Sequence, residues 1–108
     1  FGRSLQPGEL ADLAIGLAVE NWEPGAALVR QGEAGDSLFV VVEGWLEVQV
    51  ERAGGSGTVV VNRIGPGEIF GEMSLLTGEP RSATVTATTG VLAYEVRQEH
   101  VVSLLSNR

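Results

Sequence analysis

The sequence predicts a mainly β domain, a sandwich, barrel or roll, with short helices at its flanks. Three observations carry this. Fifteen of 108 residues are glycine, about twice the usual ~7%, so the chain is rich in tight turns. Short β-prone runs recur at the ~8–12-residue spacing of all-β folds. The chain is 44% hydrophobic and 19% charged, which places it among globular rather than disordered sequences. Its length fits one domain, residues 1–108.

The elements follow in order. Leu5 to Glu20 reads as an amphipathic helix, because Leu10, Leu13, Ala14 and Leu17 recur at helical spacing. Pro7 sits near its start, where a missing N–H costs nothing. Pro24-Gly25 marks a turn. Ala26–Arg30 is a first short apolar run, residues 31–36 a turn, and Ser37–Val42 a strongly β-prone run. After Gly44, Trp45–Arg52 alternates Leu46, Val48 and Val50 with Glu47, Gln49 and Glu51, so one face is apolar. Residues 53–57 are a hairpin tip and Thr58–Ile64 the returning strand. Gly65-Pro66-Gly67 turns again. Ser82–Thr88 and Val91–Val96 are the last strands, divided by Thr89-Gly90, and Gln98–Leu105 reads as a short helix.

Composition narrows the function. The chain has no cysteine, which removes disulfide frameworks, thiolate metal sites and thiol nucleophiles. It has seven arginines, no lysine and a net charge of −7. A polyanion needs a clustered basic surface, so nucleic acid and anionic membrane are poor partners for this segment. A ligand with one phosphate needs only one well-placed arginine. No apolar run approaches the ~20 residues of a membrane span, and no signal-peptide pattern opens the chain. Phe1 at the start and Asn107-Arg108 at the end read as the ends of a module cut from something longer.

One segment breaks the β pattern. Residues 70–85 read as a helical piece, Glu72 to about Leu76, then a loop, then a strand. Gly71 permits a tight turn and close ligand approach. The free N–H groups of the helix's first turn suit an anion. Arg81, presented behind the stiff Pro80, offers a planar fork to phosphate oxygens. Glu72 repels phosphate but accepts hydrogen bonds from sugar hydroxyls. Together these are contacts for a nucleotide. The structural alternative is a Glu72–Arg81 ion pair closing a surface loop. Phe70, Leu75 and Leu76 are expected in the core under either reading.

The other candidates are weaker. His100, the only histidine, lies among Val101, Val102 and Leu104 and reads as a helix surface or packing residue. One histidine does not supply the converging ligands of a metal-binding roll, and no nucleophile motif frames a serine. The domain is therefore read as no enzyme, without metal. Glu33 and Asp36 read as solvated turn residues, and Trp22 and Trp45 as packing.

Phe70-Gly71-Glu72-Met73-Ser74-Leu75-Leu76, followed by Arg81-Ser82-Ala83-Thr84-Val85, resembles the phosphate-binding cassette of cyclic nucleotide-binding domains. The nine-residue interval from Glu72 to Arg81 agrees as well. Pro24-Gly25, Arg30-Gln31-Gly32-Glu33, the stretch Gly35 to Val41, and Gly44 are similar to the first half of that family's β-roll. The resemblance implies an antiparallel β-roll of about eight strands, double-stranded β-helix or jelly-roll-like. It implies that Arg81 binds the phosphate and Glu72 the ribose 2′-hydroxyl. Backbone amides at Gly71, Ser74, Ser82 and Ala83 would surround ribose and phosphate, and Val61 would help form the wall beside the base. Ser82 stands where cGMP-selective members often carry threonine, which favours cAMP over cGMP.

The family's further helix, which folds over the base as a lid, finds no residues after Gln98–Leu105. The wording of residues 70–85 most resembles the domains of bacterial ion channels, including mechanosensitive-type channels. That implies a cytoplasmic sensor tethered to an inner or plasma membrane protein, its effector in the same longer chain, with homo-oligomerisation through the parent protein. The alternatives are a ligand-free interaction module or the sensor half of a transcription regulator.

Overall fold

The computed structural model describes residues 19–100. Among these residues the elements follow in chain order as β1 Val19–Trp22, β2 Ala27–Val29, β3 Ser37–Glu43, β4 Leu46–Glu51, a 3-10 turn Ala53–Gly55, β5 Thr58–Ile64, β6 Ile69–Phe70, α1 Glu72–Thr77, β7 Thr84–Ala87 and β8 Val91–Arg97. They form two antiparallel four-stranded sheets, ordered β1-β8-β3-β6 and β2-β7-β4-β5, which is a β-roll. Phe39, Val41 and Ala93 from the first sheet meet Leu46, Ile64, Val85 and Ala87 from the second in one buried cluster. The rings of Phe39 and Phe70 stack 4.9 Å apart, and Trp22 meets Phe39 edge-on at 5.9 Å. The inward faces of β3, β7 and β8 become apolar core, as the period-2 pattern requires, whereas β1 has no buried residue and β5 is buried only at Ile64.

Several expectations are corrected. The Leu5–Glu20 helix lies outside the described residues except at its end, where Val19 and Glu20 are strand rather than helix. They pair with Tyr94 and Ala93 of β8, and such long-range pairing overrides a local helical pattern. Strand β6 was not expected. Its two residues pair with Phe39 and Val40, and two residues are too few to show alternation. The Ser82–Thr88 strand shortens to Thr84–Ala87. Leu76 is not core: it is 71% exposed, while Ser74 and Leu75 are the buried residues of α1. Trp45 is about half exposed, with its ring seated on Gly65, where no side chain stands in the way. Residues 98–100 are helical, and the remainder of the Gln98–Leu105 helix lies outside the described residues.

The β4–β5 hairpin contains an irregularity that matters for the site. Val48 faces Asn62 and Gln49 faces Val60, so Val61 is an extra residue on β5 without a partner. This is the geometry of a β-bulge, which re-aims the side chains around it.

Candidate ligand site

A cavity of about 260 Å³ opens between the second sheet and the segment from β6 to α1. This is slightly below the ~300–1,000 Å³ common for small-molecule sites. Its inner wall is apolar, made by Val29, Val48, Ile64 and Val85, with Asn62 as the polar member. Its lip is the run Glu68 to Ser74, which brings the carboxylates of Glu68 and Glu72, and its opposite end is Arg81, Ser82 and Ala83. One end therefore suits an apolar ring and the other a polar, anionic group.

Chain geometry builds the lip. Gly71 precedes α1 with φ of 87°, a left-handed conformation that glycine adopts without steric cost. A Cβ there would also lie 2.8 Å from Arg81 Nη1 and 3.2 Å from the Ser37 carbonyl oxygen. Glycine thus lets the backbone close on the guanidinium. Glu72 takes the first helical position, where a carboxylate is favoured by the helix dipole.

Arg81 is 7% exposed. Its backbone is clamped to the 31–33 turn: Arg81 N–H donates to the Glu33 carbonyl and Gly32 N–H to the Arg81 carbonyl, both at 2.8 Å. Its Nη1 donates to the carbonyls of Ser37 at 2.9 Å and Gly71 at 3.0 Å. Its Nη2 donates to Ser37 Oγ at 3.2 Å. The guanidinium carbon lies 6.0 Å from the Phe39 ring centroid. Burial pushes its pKa down from the ordinary arginine value, while Glu95 and then Asp36 act to raise it. Arginine keeps its charge in such settings.

Among the described residues no carboxylate lies within ion-pair distance, 4.0 Å, of Arg81. The Glu72–Arg81 ion pair of the structural alternative is therefore not formed. A buried cation held by neutral acceptors at the end of a cavity favours an anion there.

The structure brings Gly71, Glu72, Ser74, Arg81, Ser82 and Ala83 to this one cavity. Val61 is not among the lining residues and is 57% exposed. With the bulge at Val61, the exposed Asn62 and the buried Ile64 stand on the cavity side instead, so the expected wall residue was displaced by one position. Asn62 was missed. Its only sequence signal is a polar residue ending the apolar run Val59-Val60-Val61. Gly35 and Ser37 were also missed as neighbours of the guanidinium, since Ser37 stands 44 residues from Arg81. No group of three His, Cys, Asp or Glu side chains suited to a metal occurs among the described residues. None of their helices is long and apolar enough to cross a membrane.

Comparison with known proteins agrees with this geometry. The cyclic nucleotide-binding domain family matches residues 19–108. A cAMP-dependent protein kinase regulatory subunit of Dictyostelium discoideum is 40% identical over 87 residues, 79% of this chain and 27% of that protein. A cyclic nucleotide-gated potassium channel of Mesorhizobium japonicum is 42% identical over 89 residues, 82% of this chain and 23% of that protein. The chain thus spans about a quarter of the length of these relatives. Among solved structures, the regulatory domain of Toxoplasma gondii PKA with cAMP superposes with a TM-score of 0.78 at 30% identity, covering 93% of this chain and 38% of that one. The Thermus thermophilus catabolite activator protein gives 0.85 at 28% identity, covering 95% and 48%.

Proposed function

The chain belongs to the cyclic nucleotide-binding domain family, and on that premise we propose that it is a reversible sensor of cAMP, preferred over cGMP, that performs no chemistry on its ligand. The observation that carries this is Arg81: a buried guanidinium at the end of a cavity, without a carboxylate partner among the described residues. The cyclic phosphate supplies the missing negative charge. Glu72, on the same cavity, accepts the ribose 2′-hydroxyl, and the apolar wall takes the base. Amides at Gly71, Ser74, Ser82 and Ala83 complete the polar end. Ser82 in place of a threonine supports the cAMP preference.

Occupancy becomes a signal only if the ligand binds one arrangement better than another. Phosphate bound at Arg81 and the N-terminus of α1 pulls the 70–85 segment inward, and the helix that begins at residue 98 follows it. The effector lies in the same longer chain, a reading supported by relatives that this chain covers only in part. A bacterial membrane channel is the favoured effector, supported by the 42% identity to the Mesorhizobium channel. Fractionation of the parent protein tests this: recovery in the membrane supports a channel, and recovery as a soluble DNA-binding protein supports a transcription regulator.

Thermal melting with and without cAMP and cGMP tests the binding itself. Ligand at 100 times its dissociation constant adds about 2.7 kcal/mol, and the nucleotide is recovered unchanged. No shift with either nucleotide at millimolar concentration would leave a ligand-free interaction module as the better reading.

A further inference from the structure

A chain of hydrogen bonds runs behind the guanidinium. Ser37, 1% exposed, donates its hydroxyl proton to Glu95 Oε2 at 2.8 Å. A hydroxyl has one proton, so Ser37 Oγ is left as an acceptor, and it takes Arg81 Nη2 at 3.2 Å. Glu95 is on β8 opposite Phe39, and Ser37 is opposite Arg97. Glu95 does not line the ligand cavity. It lines a separate polar depression, shared with Gly35, Ser37 and Arg81. Its Oε1 lies 3.7 Å from Arg97 Nη2, which holds the carboxylate from its outer side.

We propose that Glu95 is a positioning residue for the phosphate-binding guanidinium, acting through the Ser37 hydroxyl. This rests on the reading of Arg81 as the phosphate ligand. While Glu95 holds the hydroxyl proton, the oxygen lone pairs face Nη2 and the fork is locked in the plane that meets the phosphate. Without Glu95 the hydroxyl rotates freely, and a rotor with its proton toward Nη2 sets donor against donor. The opposing electrostatic expectation has the other sign. A carboxylate near an anion site repels the phosphate, so its removal by charge alone tightens binding.

The test uses the full chain and two variants. Glu95→Leu keeps similar bulk and removes every acceptor; Glu95→Gln keeps one acceptor oxygen and loses the charge. Glu47→Gln, which removes a carboxylate near Arg63 rather than Arg81, is the control. One readout is cAMP affinity by calorimetric titration. The other is nitrogen NMR of the Arg81 Nη groups in ligand-free protein, which reports rotation about the Nε–Cζ bond.

Glu95→Leu is expected to weaken cAMP binding about tenfold, the scale of one lost hydrogen bond in a charged network, and to merge the two Arg81 Nη signals. Glu95→Gln recovers part of both, and Glu47→Gln changes neither. Equal or tighter cAMP binding by Glu95→Leu overturns the proposal, as does weaker binding with the Arg81 signals unchanged. Should Glu95→Leu fail to fold, Glu95→Gln carries the same two readouts, partial loss of both against no change in either. If the unaltered chain binds neither cAMP nor cGMP, the reading of function fails, while the NMR readout still decides whether Glu95 orders Arg81.

Discussion

Gly35 lies flat against the guanidinium of Arg81: a Cβ built on Gly35 would collide with Nε and Cζ. Gly35 is not among the glycines with positive φ, so its backbone admits alanine and the whole cost of a side chain falls on Arg81. Gly35→Ala should therefore move the guanidinium at an overpacking cost of about 1–3 kcal/mol. The expected result is a lower melting temperature together with cAMP affinity reduced about tenfold or more, since ~1.4 kcal/mol is tenfold. Unchanged affinity would show that Arg81 yields without loss of the ligand.

Arg81→Ala should abolish the cAMP-dependent melting shift. It also removes the donor to the buried Ser37 carbonyl, at a cost of about 1–3 kcal/mol if that group is left unsatisfied, and the donor to the part-buried Gly71 carbonyl, which borders the cavity. Arg81→Lys restores a charge but not the planar fork, so it should recover little of the shift. A lysine variant that binds like the unaltered chain would remove the case for bidentate recognition.

Glu72 and the ribose 2′-hydroxyl can be tested against each other. Glu72→Ala should weaken cAMP by roughly 1.5–3 kcal/mol, the scale of a hydrogen bond to a charged group. 2′-Deoxy-cAMP should lose a similar amount against the unaltered chain. Against the Glu72→Ala variant the deoxy analogue should lose almost nothing more, because the two changes remove one interaction. Additive losses in calorimetric titration would place the 2′-hydroxyl elsewhere.

Asn62 is the polar residue of the inner wall, and adenine and guanine differ in the donors and acceptors on their edges. Asn62→Val should change the ratio of cAMP to cGMP affinity by about 2–10-fold, one ordinary hydrogen bond's worth. Val61→Ala, which changes an exposed side chain, should leave the ratio alone. Competition binding with both nucleotides measures this, and the opposite pattern would return the wall to Val61.

The exposure of Leu76 predicts a tolerant position. Leu76→Ser should change stability by no more than about 0.5 kcal/mol, as surface substitutions do. Leu46→Ala, at a side chain buried completely, should cost about 2–5 kcal/mol. Chemical denaturation of the two variants compares them directly. A large loss for Leu76→Ser would mean that another part of the protein covers it.

Much of the fold was legible because its signals are local. Alternation from Leu46 to Glu51 marked a strand, Thr58–Ile64 was bounded by glycines, and Gly71 before Glu72 marked the start of α1. The order Phe70 to Val85 likewise carried the residue types of the candidate site, since they lie close together in the chain and share one cavity.

Tertiary structure decided what depends on a distant partner. Val19 and Glu20 became strand because β8 offers them backbone partners. Asn62 rather than Val61 faces the cavity because one extra residue in the β4–β5 register turns the neighbouring side chains over. Leu76 faces outward because a helix of six residues buries only one side. Arg81 owes its setting to Ser37, 44 residues away, and Ser37 to Glu95, 58 residues further on. A chain's own periodicity specifies which residues share a face; which face is buried, and what meets it there, is settled only when the sheets pair.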